Sequence, residues 1–229
     1  MRPTYELLVR GNNLRLKNDF LGMSNVTLIG SSAGWILFDT GGYISRLGLL
    51  KALHEKGLKT SDIRHVFLSH LHFDHSHNID LFLHAKIFVS KVEWEYAEAP
   101  HPDDVLIPWG IRDLLSKADL VLLEDEGELA DGIFYFPAPG HTPGCYALRL
   151  ETDQRGTVII AGDAIKYAKE AILRTCDMAF DTIEVGTRSI ERILTEADRI
   201  VPGHFPELIK QPNGQFSWED SAPFELLVR

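Results

Sequence analysis

Cysteine is scarce in this chain. Cys145 and Cys176 are the only two among 229 residues. Two thiols cannot build a disulfide framework, which points to a reducing, cytoplasmic setting. Long apolar runs are missing as well. No stretch approaches the roughly 18 consecutive apolar residues of a membrane span, and the opening Met1-Arg2-Pro3-Thr4-Tyr5-Glu6 lacks the apolar core of a secretion signal. Basic charge is the third deficit, with 23 Lys and Arg against 33 Asp and Glu and a net charge of −10. A sequence-independent nucleic-acid binder needs a basic surface to displace counterions from phosphate, so a small molecule, not nucleic acid or membrane, is the expected partner. There is no low-complexity tract, flexible linker or internal repeat. The chain therefore reads as a single domain, 1–229, with ample length for a core; a homodimer is as compatible with it as a monomer.

Strand-like runs and helical periods alternate, which favours an α/β layered domain. Strands are expected at Glu6 to Val9, Val26 to Ile29 and Trp35 to Phe38. A helix is expected from Ile44 to Lys56 with Leu47, Leu50 and Leu53 on its buried face and Gly57 as its stop, and Asp62 is a candidate cap for the next element. A second helical period runs from Thr182 to Ala197, through Ile183, Ile190, Ile193 and Leu194. Phe216 to Trp218 and Phe224 to Val228 read as late strands.

Histidine is abundant, at ten residues. The densest signal is His70-Leu71-His72-Phe73-Asp74-His75, four candidate ligands at offsets 0, 2, 4 and 5. In an extended stretch residues i and i+2 point the same way, so His70 and His72 can share one ion. A turn after Phe73 would send Asp74 and His75 toward a second. One pattern then recurs four times: an apolar run, a short turn, and a residue able to bind metal. Val66 to Ser69 leads into His70, Phe134 to Phe136 into His141, Val158 to Gly162 into Asp163, and Arg199 to Gly203 into His204. Strand ends in α/β sheets deliver short loops to a common crevice, and the Pro and Gly beside these ligands fix tight turns and allow close backbone approach.

The combination of Ser69-His70-Leu71-His72-Phe73-Asp74-His75, Gly140-His141-Thr142-Pro143-Gly144, Gly162-Asp163 and Pro202-Gly203-His204 resembles the metallo-β-lactamase-fold hydrolases, and Asp39-Thr40-Gly41 looks like that family's early strand-end signature. The resemblance spans about residues 25 to 205. It implies an αββα sandwich of two mixed β-sheets flanked by helices. It also implies a first metal held by His70, His72 and His141, a second held by Asp74, His75 and His204, and Asp163 bridging both. Zn2+ is the expected ion, with Mn2+ or Fe2+ suited to the same nitrogen and oxygen donors.

The expected chemistry is hydrolysis of a small ester, lactone or related acyl compound by a hydroxide shared between two dications about 4 Å apart. Asp74 is then both a ligand and a candidate proton carrier to the leaving group. Several positions depart from the family pattern. Many members follow the aspartate–histidine pair with a small residue and two glycines, whereas Ser76-His77-Asn78 stands here; His77 reads either as a partner of the site or as a surface residue. True β-lactamases of the superfamily usually lack the bridging aspartate, so Asp163 points away from antibiotic cleavage. Lactone-cleaving relatives carry a tyrosine three residues after it, where this chain has Lys166 and then Tyr167. Either side chain is a candidate contact to a substrate oxyanion, and Phe73, set among ligands, is a candidate pocket residue. Glyoxalase-type thioesterases add a C-terminal helical region, while 25 residues follow His204 here, so that activity is not the expectation.

The segment 91–125, rich in Trp, Tyr and Pro at Trp94, Tyr96, Pro100, Pro102, Pro108 and Trp109, is either a lid and pocket wall or a packed connection. Ser69 and Thr142 read as hydrogen-bonding neighbours of the ligands, and the two cysteines as small core residues. Three alternatives share the motif: a phosphodiesterase or nuclease of the same fold, a mononuclear iron oxidoreductase of the persulfide-oxidising kind, and a non-catalytic metal binder. The complete set of seven ligands favours two metals and hydrolysis.

Overall fold

The computed structural model describes residues 2–219. Strands β1 (Thr4–Val9), β2 (Val26–Ser31), β3 (Gly34–Phe38), β4 (Ile63–Phe67), β5 (Lys86–Ser90) and β6 (Asp119–Leu123) form one sheet in chain order. Strands β7 (Gly127–Ala130), β8 (Ile133–Pro137), β9 (Tyr146–Thr152), β10 (Gly156–Gly162), β11 (Arg199–Pro202), β12 (Leu208–Lys210) and β13 (Phe216–Ser217) form the second, also in chain order. Both are mixed: β3 to β6 run parallel in the first, and β10 pairs parallel with β11 in an otherwise antiparallel second. Six α-helices lie among the described residues: α1 (Arg46–Glu55), α2 (Phe73–Ser76), α3 (Lys91–Tyr96), α4 (Ile111–Leu115), α5 (Ala168–Leu173) and α6 (Ile183–Glu196).

Residue alternation explains the layering. Along β10, Val158 and Ile160 face the first sheet, where they meet Phe38, Phe67 and Phe88, while Ile159 and Ala161 turn outward to Ile190, Ile193 and Leu194 of α6. Along β4, Phe67 faces the second sheet and Val66 faces outward toward Leu49 and Leu53 of α1. A strand covered on both faces must be apolar on both faces, which is why Val158 to Ala161 of β10 and Val66 to Leu68 at the end of β4 read as apolar runs. The architecture is the αββα sandwich expected.

Several local expectations change. The buried face of α1 is Leu49 and Leu53, one turn apart, and Leu47 is 81% exposed. At 3.6 residues per turn a spacing of three drifts around the helix, so Leu47 stands about 120° away from Leu53 and points to solvent. Asp62 caps backward instead of forward: its carboxylate accepts the Lys59 N–H at 2.8 Å, closing the turn before β4. Helix α6 starts as expected, with the Thr182 hydroxyl accepting from the Val185 N–H, although Ile183 lies 41% exposed, off the buried face. The strand expected at Phe224 to Val228 lies outside the described residues. Among the described residues, no helix is long and apolar enough to cross a membrane.

The segment 91–125 is folded mostly as outer layer. Trp94, Ala97, Ile107 and Leu114 pack on the core beneath the first sheet, and β6 is a strand of that sheet. Trp94, Pro100, Pro108 and Trp109 line a separate open groove that shares no residue with the histidine cluster. Glu93, Tyr96, Asp104 and Leu106 are the residues of the segment that reach toward that cluster.

Candidate metal centre

The parallel strands β3 and β4 of one sheet and β10 and β11 of the other end on loops that carry Asp39, His70 to His75, Asp163 and His204. The turn after His72 begins at Phe73, one residue earlier than expected, as the short helix α2. That turn separates the extended His70 and His72 from Asp74 and His75. His141 arrives on the loop between β8 and β9, where Gly140 (φ +139°) packs against α6; a Cβ there would lie 2.2 Å from the Gly186 Cα.

Three groups of donors converge, each with ligand atoms within 4.8 Å of one another: His70, His72 and His141; His70, His75 and Asp163; Asp74, His75 and His204. All seven residues are buried. His141 Nε2 lies 3.0 Å from His72 Nδ1 and 3.3 Å from Asp163 Oδ2. On the other side Asp163 Oδ1 lies 3.2 Å from His75 Nε2 and 3.3 Å from His204 Nε2. His204 Nε2 is 3.3 Å from Asp74 Oδ2 and 3.4 Å from His75 Nε2. The two oxygens of Asp163 thus face different donor groups.

These separations fit a cation better than hydrogen bonding. Two donors on one tetrahedral zinc, each about 2.0–2.1 Å from it, sit about 3.3–3.4 Å apart. The buried His70 Nε2 and Asp163 Oδ1 make no hydrogen bond, which leaves their lone pairs for a metal.

The outward nitrogens support the same assignment. Ser69 Oγ is 2.9 Å from His70 Nδ1. His72 Nε2 is 3.0 Å from Asp104 Oδ2, and His75 Nδ1 is 2.7 Å from Asp39 Oδ2. His204 Nδ1 and His141 Nδ1 face the carbonyls of Met23 and Met178, at 2.9 and 3.4 Å. A histidine whose outer N–H is taken by an acceptor turns a bare nitrogen inward. Of these partners, sequence reading pointed to Ser69 alone as a neighbour; Asp39 entered only through its strand-end signature. Asp104, Met23 and Met178 carried no local signal.

Electrostatics divide the cluster. Burial pushes the His70 and His141 imidazoles well below their ordinary range, so both are neutral, the form that binds metal. Burial also opposes charge on His75 and His204, but Asp163 and Asp74 outweigh it and raise both. Burial works against the Asp163 anion as well, yet His204, His75 and His141 hold its carboxyl well below the usual range. A further buried carboxylate, Glu93, ties two ligand loops together. It accepts the Leu71 N–H at 2.9 Å and the Thr142 hydroxyl at 2.6 Å. Ser69 therefore bonds the candidate ligand His70 directly, whereas the Thr142 hydroxyl reaches Glu93 and Cys145.

A cavity of about 530 Å³ opens onto the cluster. His72, Asp74, His141, Asp163 and His204 form its floor, with Phe20, Phe73, Leu106 and Met178 as apolar wall and Arg15, Lys166 and Tyr167 as polar wall. The bridge pairs Asn12–Met23 and Arg15–Phe20 bring the wall residues of that hairpin over the site, and the Phe20 ring stands edge-on to Phe73, 6.1 Å between centroids. This hairpin was not apparent in the sequence. Lys166 is buried and its Nζ donates to Glu170 at 2.8 Å; burial opposes its charge, but Glu170 and Asp163 raise it, so it is an ammonium. The Tyr167 hydroxyl is turned to Asp177. His77 is exposed beside Tyr43, the surface position anticipated as one of its two readings. Cys145 and Cys176 are buried.

A sequence model described as the metallo-beta-lactamase superfamily matches residues 19–204. The chain is 30% identical over 186 residues to metallo-beta-lactamase domain-containing protein 1 of Xenopus laevis, covering 81% of this chain and 72% of that protein. It is 30% identical over 145 residues to an N-acyl homoserine lactonase of a Bacillus species, 63% of this chain. That match spans about half of the lactonase's own length, 55%. An N-acyl homoserine lactone hydrolase solved with N-hexanoyl-L-homoserine at its catalytic metal centre superposes with a TM-score of 0.72 over 89% of this chain and 93% of that one. At 22% identity this last likeness concerns the fold.

Proposed function

The chain belongs to the metallo-beta-lactamase superfamily, and we propose that it is a two-metal hydrolase of a small lactone or ester. The observation that carries this reading is Asp163, with Oδ2 3.3 Å from His141 and Oδ1 3.2 and 3.3 Å from His75 and His204. A carboxylate so placed would join a first metal on His70, His72 and His141 to a second on Asp74, His75 and His204. Imidazole with carboxylate suits zinc first, with manganese or iron tolerated by the same donors.

Two divalent cations, when bound there, supply Lewis acidity and lower the pKa of water in the site toward neutrality. The protein's own groups do the rest. Phe20, Phe73, Leu106 and Met178 hold the apolar part of an acyl substrate and exclude bulk water. Lys166, in the place where lactone-cleaving relatives carry tyrosine, donates from its ammonium to the acyl oxygen as negative charge gathers there. Asp74, on the cavity floor, takes the proton of the attacking water and passes it to the leaving oxygen. The balance is that of hydrolysis: the acyl carbon gains hydroxyl, its bond to the leaving oxygen breaks, and that oxygen gains the proton.

Elemental analysis followed by a panel of lactones, esters, thioesters, β-lactams and phosphodiesters tests the reading. Two zinc or manganese ions per chain with turnover of lactones or esters is the expected result. One iron per chain, or turnover confined to phosphodiesters, overturns it in favour of a persulfide-oxidising or nuclease-type activity.

A further inference from the structure

Four of the five clustered histidines face the site through Nε2, and His72 alone faces it through Nδ1, 3.0 Å from His141 Nε2. Its outward Nε2 meets a carboxylate from a distant part of the chain. The Asp104 side chain is fully buried, and Oδ2 lies 3.0 Å from that nitrogen. The same carboxylate is fixed from two other directions. The Tyr96 hydroxyl donates to Oδ2 at 2.7 Å, and the Leu106 N–H donates to Oδ1 at 3.0 Å. The loop is also stitched to the residue after His72, since the Phe73 N–H donates to the Leu106 carbonyl at 2.9 Å.

Resting on the metal reading above, we propose that Asp104 is a positioning residue for the first metal, holding His72 with Nε2 protonated and Nδ1 bare toward His70 and His141. Turning the imidazole over would put a carbon where the metal must be bound and would break the bond to Asp104. A carboxylate acceptor also makes the opposite nitrogen a stronger donor to a cation. Because Asp104 is tied to Tyr96 and Leu106, the ring is held by a preset acceptor. His70, His75, His141 and His204 have their own partners, so the effect belongs to one donor group.

Wild type, Asp104→Asn and Asp104→Ala, each stripped of metal, would be titrated with Zn2+ against a chromophoric chelator. Thermal midpoints of the metal-free proteins would be measured alongside. Asp104→Ala should weaken one of two binding steps about 10–100-fold, the usual effect of removing a carboxylate behind a ligating histidine, and leave the other step unchanged. Asp104→Asn, which keeps one acceptor oxygen for His72 and Tyr96 but sets an amide NH2 against the Leu106 N–H, should fall between, with a metal-free midpoint above that of Asp104→Ala. Wild-type uptake of two ions with unchanged affinities in both variants overturns this proposal alone. Equal weakening of both steps with a lowered midpoint in Asp104→Asn shows a merely structural role and also overturns it. A wild-type chain that takes up no Zn2+ overturns the metal reading and this proposal with it.

Discussion

Gly203 and Asp163 approach so closely that a Cβ on the glycine would lie 1.9 Å from Asp163 Oδ1. Asp163 follows β10 and Gly203 follows β11, parallel neighbours in the second sheet. The residue before one candidate ligand therefore has no side chain because another must occupy that space. Gly203→Ala introduces no disallowed backbone angle, so its effect should come from this clash. We expect fewer than two metals per chain by elemental analysis and a fall of at least about a hundredfold in turnover, the scale of losing one charge-stabilising group. Two retained metals at the wild-type rate would show that Asp163 can move aside freely.

Asp74→Asn keeps the shape of the side chain and removes its capacity to carry a proton. With two metals still bound, turnover should drop about 10²–10⁴-fold, the range of general acid–base catalysis. Unchanged turnover would take Asp74 out of proton transfer.

Lys166 and Glu170 form a buried pair at 2.8 Å, and Glu170 also accepts the Lys166 and Asp177 backbone N–H groups. Lys166→Met should destabilise the protein by about 3–5 kcal/mol, because a buried carboxylate is left without its cation. Adding Glu170→Gln should recover part of that stability, measured by chemical denaturation, since the amide removes the buried charge but can accept only one of the two backbone N–H groups. If Lys166 contacts the acyl oxygen, the double variant keeps a kcat/KM deficit that stability recovery does not repair.

The same pair predicts a pH response. Against the effect of burial, Glu170 and Asp163 raise the Lys166 pKa above its unfolded value of 10.5. Its contribution to stability is then fully present below pH 10.5 and is lost as pH rises through the raised value. Between neutrality and strongly alkaline pH, wild type should lose more stability than Lys166→Met/Glu170→Gln. Parallel stability profiles for the two proteins would exclude a titrating Lys166.

How much of this was legible varies by residue. His70, His72, Asp74 and His75 are neighbours in sequence, so their spacing alone suggests shared ions. His141, Asp163 and His204 each follow an apolar run and a turn, and a strand leaves little freedom in where its end points. Asp104 and Glu93 showed nothing of the kind. Asp104 lies 32 residues from His72 and Glu93 lies 22 residues from Leu71, with no periodicity linking the partners. The α1 face was misplaced because Leu47, Leu50 and Leu53 drift around the helix, whereas Leu49 and Leu53, four apart, share the face that packs on the core.

The sequence by itself determined the layered α/β architecture and the donor chemistry, because backbone alternation and the identity of a ligating side chain are local properties. Tertiary structure decided which oxygen of Asp163 faces which donor group, which nitrogen of His72 turns inward, and that the hairpin around Arg15 and Phe20 walls the cavity. Those are relations between segments far apart in the chain. They are fixed by the packing of two sheets and the hydrogen bonds between their loops, and no stretch of residues specifies them alone.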